Sequence, residues 1–92
     1  MTYIDDARAA VDAELPGLDP ELLDLYTLLA LIGVNVTMRD VHDAWAIWQA
    51  RTDPAHRSII PFAELASDVQ ELDRKYTDGI RRAAQVIYAP EV

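Results

Sequence analysis

Between Asp19 and Gly33 the chain reads PELLDLYTLLALI, and this segment constrains the fold more than any other. Asp19 is a good N-cap, Pro20 suits the first helical position and Gly33 is a natural C-terminal stop, so the segment is a helix. Leu22, Leu23, Leu25, Tyr26, Leu28, Leu29, Leu31 and Ile32 fall almost all round its circumference. A helix without a polar face belongs at the centre of a helical core or in an interface between copies. Ninety-two residues suffice for one domain with one modest core, so the other elements must be arranged to cover this helix. It carries more apolar surface than so short a monomer easily hides, and a homodimer is expected.

The covering elements are legible from their spacing. In Thr2 to Leu15, Ile4, Ala7, Val11 and Leu15 recur at helical intervals, with Asp5 and Asp6 in the first turn, and Pro16-Gly17 ends the helix. Thr37 and Asp40 form a capping box with Asp in place of the usual Glu, and Val36 and Val41 stand at the staple positions. The third helix they start places Val41, Trp45 and Trp48 on one face and stops near Arg51, where Thr52-Asp53-Pro54 favours a turn. After a polar loop, Thr52 to Ser58, Pro61 forbids a helix running into it but permits a short turn through Phe62 to Leu65.

Ser67 then reads as the cap of a last helix, with Gln70 at the capping-box position. Val69, Leu72, Tyr76, Ile80, Ala83 and Ile87 mark its apolar stripe over about five turns. Gly79 within it costs ~1 kcal/mol of helix propensity and leaves room for close packing of another backbone. No segment alternates as a strand would. The expected fold class is all-α: a single domain over residues 1–92, with four helices and a short Pro-containing irregular insert between helices 3 and 4.

Composition removes several functions. The absence of cysteine excludes disulfides, thiolate metal sites and cysteine nucleophiles. Asp5 and Asp6 stand where a secretion signal would be basic, and the longest apolar run is far short of a membrane span of roughly 20 residues, so a soluble, cytoplasmic protein without a membrane partner is expected. Of the net charge of −8, residues 1 to 24 hold −6, which disfavours general nucleic-acid binding and leaves a nucleic-acid-mimicking surface as a minor alternative. Six of the eight basic residues lie between Arg51 and Arg82; an anion, if bound, is bound there.

Both tryptophans, both histidines and the only phenylalanine lie between Val41 and Arg74. His42-Asp43 invites comparison with the HD pair of metal phosphohydrolases, but only His56 remains as a further histidine, so His42 is better read as hydrogen-bonded within the fold and no metal is expected. Ser58 lacks a nucleophile elbow, and the three isolated glycines make no phosphate loop. A non-enzymatic protein without a cofactor is the consequence. Trp45 and Trp48 are most simply core or core edge; the sharper reading makes one of them a pocket wall. Asp73-Arg74-Lys75 is either a solvated face or, through Arg74, a device for bidentate capture of carboxylate or phosphate.

The order His42, Asp43, Trp45, Ala46, then His56, Ile59, Pro61, Phe62, Leu65, then Gln70, Glu71, Asp73, Arg74 resembles the ryanodine-receptor repeat (RyR) domain. It departs from that pattern in a shortened loop, Ala50 to Ala55, and in Arg57 where the family has proline. The chain also resembles small proteins of actinobacterial phages and their hosts. The resemblance implies a helical binding module in which His42, Trp45, His56, Arg57 and Arg74 converge on a nucleotide-derived anionic ligand, captured in phage-host conflict. The alternative is a module that binds and modulates a host protein.

Overall fold

The structure, a computed structural model, describes residues 1–89. The last three residues of the single domain expected over 1–92 lie outside the described residues. Helix α1 (Tyr3–Glu14) opens with a reciprocal box: Thr2 Oγ1 accepts from the Asp5 amide, and the Asp5 carboxylate accepts from the Thr2 amide. Asp5 therefore does more than complement the helix dipole. Its pKa is lowered, first by the backbone hydrogen bond from Thr2. Helix α2 (Pro20–Ile32) starts behind Asp19, whose carboxylate accepts from Glu21 N at 2.9 Å, and stops at Gly33, which takes a positive φ of 133° that side chains disfavour. Helix α3 (Met38–Gln49) carries the expected Thr37–Asp40 box, and the staple residues Val36 and Val41 are both buried.

Helix α2 lies at the centre, packed against α1, α3 and the last helix, α5 (Arg74–Ile87). Leu22, Tyr26, Leu29 and Ala30 meet Val11 and Leu15 of the first helical segment, Val41 and Ala44 of α3, and Ile80 and Ala83 of α5. The buried surface does not encircle α2, however: Leu28 is 57 % and Ile32 70 % exposed. Two polar ties hold the periphery. Arg81 Nε donates to Val36 O at 2.6 Å, pinning α5 to the α2–α3 connection, and Tyr88 donates its hydroxyl hydrogen to Leu31 O.

The insert is a chain of tight turns, with His56 N bonded to Asp53 O and Ile59 N to His56 O, followed by a 3₁₀ turn at Phe62–Glu64 behind Pro61. The final helix departs from expectation. A short helix, α4 (Ser67–Glu71), ends at Leu72, and α5 starts anew at Arg74. Ser67 is not the cap; Ala66 holds that position without a side-chain bond, and Gln70 turns away to donate to Phe62 O at 2.9 Å. Leu72 N and Asp73 N bond to Val69 O and Gln70 O, three residues back rather than four, so the backbone tightens and re-aims. The Thr77 amide and hydroxyl both return to Asp73 O, anchoring the new helix. Leu72, expected on the buried stripe, is thereby 69 % exposed. The class stands as expected: all helical, with four main helices, the Pro-containing insert, and no strand among the described residues.

Candidate functional site

An open cleft of about 770 Å³ lies where α2, α3, the insert and the α4–α5 break meet. Its aromatic lining comes from four places. Tyr26 projects from the central helix, Trp45 and Trp48 from α3, His56 from the turn-rich loop, and Tyr76 from α5. Trp45 stacks on His42 at 5.7 Å and 28°, and receives His56 edge-on at 5.2 Å and 82°. Offset and edge-on arrangements of this kind are the favoured ones for aromatic rings. Tyr26 and Tyr76 tilt together with their ring centroids 6.1 Å apart. Trp48 holds its place by donating Nε1–H to Asp19 Oδ1 at 3.3 Å.

His42 is 3 % exposed and belongs to the scaffold of the cleft. Its Nε2 lies 2.7 Å from Ile60 O; a carbonyl only accepts, so this nitrogen carries the proton and ties α3 to the insert. Its Nδ1 lies 3.8 Å from Asp73 Oδ2, beyond hydrogen-bond reach. His56 Nδ1 accepts from Ser58 N at 3.0 Å, which leaves its Nε2 as the donor. Asp73 occupies the N-cap position of α5 without spending its carboxylate on the cap. Burial raises its pKa above the ordinary carboxylate value, an effect that a protonated His42 would only partly offset. Burial, with Asp73 and Tyr76 beside it, also pushes the Tyr26 hydroxyl well above its usual range. A second, shallower hollow of about 630 Å³ lies on the other side of His42, between Ile47, Ile60 and Phe62.

Of the five residues expected to converge, His42, Trp45 and His56 meet around the cleft. Arg57 is exposed on the loop, and Arg74 turns outward to form a two-pronged pair with Glu71, at 2.7 and 2.9 Å; neither lines either hollow. Asp73, Tyr26 and Tyr76 are lining residues that the sequence did not place in the site. The two tyrosines read as members of apolar helix faces, and Asp73 as part of a charged one. The unusual Asp-Arg-Lys run at the start of α5 was the one available sign. Among the described residues no cluster of His, Asp and Glu is arranged to hold a metal ion, and no helix is long and apolar enough to cross a membrane.

An all-helical domain with an aromatic cleft is the class that this geometry defines. The chain belongs to the family described as domain of unknown function DUF7701, whose model matches residues 2–85. No curated protein and no solved structure matches it significantly. The resemblance to a ryanodine-receptor repeat is thereby corrected, because the family that matches spans the whole Val41–Arg74 stretch. The residues that carried it have local duties here. His42 bonds the insert, Pro61 precedes the 3₁₀ turn, and Arg74 neutralises Glu71.

Proposed function

We propose that the protein is a non-enzymatic binding module that takes the planar or apolar body of a small molecule into the aromatic cleft. The observation that carries this reading is the wall of Trp45, Trp48, His56 and Tyr76, which faces an open hollow instead of being consumed by the core. Concave, mostly apolar sites with a few polar groups are where small ligands bind. Neither histidine is set up as a base beside a nucleophile, since His42 Nε2 is held by Ile60 O and His56 Nδ1 by Ser58 N–H. Capture of a nucleotide through its phosphates has less support than the sequence suggested. Arg57 and Arg74 lie outside the lining, where Lys75 is the one permanent cation.

Tryptophan fluorescence titrated with nucleosides and their monophosphates tests both parts. The phosphate is expected to add no affinity, and binding to stay within about twofold when Arg57 and Arg74 are both replaced by alanine, as for exposed side chains without a ligand contact. A tenfold loss in that double variant would restore the anion reading.

A second reading concerns association. The exposed Leu28, Ile32 and Tyr88 form an apolar end to the molecule, favouring a homodimer or a docked partner protein. Sedimentation equilibrium tests the homodimer, with a dimer dissociated by Ile32→Glu in its favour and a monomer at every concentration against it.

A further inference from the structure

We infer that the cleft is built for an organic ammonium, a protonated amine on an apolar or aromatic stem, whose N–H groups are held between Asp73 Oδ2 and His42 Nδ1. The inference rests on the cleft being a ligand site and names the chemistry of its occupant. With a proton of His42 fixed on Nε2 by Ile60 O, the ring in its neutral form presents a lone pair at Nδ1. That lone pair and the Asp73 carboxylate stand 3.8 Å apart, two acceptors with no protein donor between them. Even a protonated imidazole would be too distant at 3.8 Å for a good hydrogen bond. A group that donates to both resolves the arrangement, and an ammonium offers three donors.

The surroundings favour the same charge. Glu71 is already matched by Arg74, and Lys75 lies over the Tyr76 ring, 5.7 Å from its centroid, with no ion pair to Asp73. Asp73 is thus the unpaired anion of the lining, and Lys75, drawn to the Tyr76 ring, is its unpaired cation. Its side chain is 15 % exposed, enclosed yet reachable. Burial holds its pKa up, a cost that a bound cation relieves. Trp45, Trp48 and Tyr76 line the same cleft and supply aromatic surface for an apolar stem.

The chain has two tryptophans and both line the cleft, so indole fluorescence reports occupancy directly. Three near-isosteric probes that do not emit with indole are titrated: phenethylamine, 2-phenylethanol and 3-phenylpropionate. The amine is expected to saturate the fluorescence change at a concentration at least about tenfold below the alcohol, with the carboxylate weakest, because a charge-assisted hydrogen bond is lost in each comparison. Asp73→Asn, checked for helix content by circular dichroism, is expected to bring the amine to the level of the alcohol. The ligand comparison on the unaltered chain stands even if that variant does not fold. Equal affinity for amine and alcohol, or tighter binding of the carboxylate, overturns the assignment of charge and leaves the cleft a ligand site. No response to any of the three overturns both.

Discussion

Leu15, at the end of α1, fills the notch that Gly79 leaves in α5: a Cβ on residue 79 would lie 2.8 Å from Leu15 Cγ and Cδ2. Both residues are buried, so neither has open space to move into. The glycine thus admits a side chain where its spacing had suggested a second backbone. Gly79→Ala gains ~1 kcal/mol in helix propensity but overpacks a closed site, which typically costs 1 to 3 kcal/mol. A net destabilisation of roughly 1 kcal/mol is expected in urea unfolding, and the increment is expected to shrink when Gly79→Ala is made in a Leu15→Ala background. A higher midpoint for Gly79→Ala alone would show that Leu15 yields freely.

The two capping boxes expected from the sequence, at Thr37 and at Ser67, make opposite predictions. Thr37 accepts from Asp40 N at 3.2 Å and Asp40 answers from Thr37 N, so Thr37→Ala is expected to cost about 0.5 to 2 kcal/mol. Ser67 is exposed and makes no cap bond, so Ser67→Ala is expected to stay within about 0.5 kcal/mol. Comparable losses at both positions would mean that α4 starts one residue later in solution.

Asp73 predicts a pH dependence of defined sign. A carboxyl whose pKa is higher in the folded chain than in the unfolded one binds its proton more tightly when folded. Its contribution is fully present below the ordinary value of 3.8 and is lost as pH rises through the raised folded value. The stability of the parent relative to Asp73→Asn should therefore fall across that window and level off above it, leaving the Asn variant at least as stable at neutral pH. Parallel urea titrations measure this difference, in which the other carboxylates cancel. A difference that grows with pH would mean that attraction to His42 outweighs burial.

What the sequence made legible was local. Pro20, Gly33 and the Thr37–Asp40 box act on backbone within one turn, and each sits where its chemistry placed it. The break at Leu72–Asp73 was not legible because contacts from elsewhere set it. The spacing from Val69 through Tyr76 to Ile80 reads as one uninterrupted stripe. It is interrupted where Gln70 turns to the Phe62 carbonyl of the insert and the backbone tightens into three-residue bonds. The same break brings Asp73 to His42, so half of the candidate site depended on a turn without a sequence signature. Trp45 is both things the sequence allowed, a half-buried scaffold ring and a cleft wall. The misleading resemblance drew on tryptophan, proline, histidine and arginine, residue types that hold irregular segments together in unrelated domains.

The molecule is elongated, 46 × 24 × 19 Å, and α2 runs between two different surfaces. Leu22 and Tyr26 face the cleft, whereas Ile32, ten residues and about 15 Å beyond Leu22, is exposed at the other end. Copies joined at that apolar end would leave both clefts open. Such a pair would be bivalent: against a target that displays its ligand groups in repeats, the second engagement would become intramolecular, and avidity would exceed the strength of one cleft.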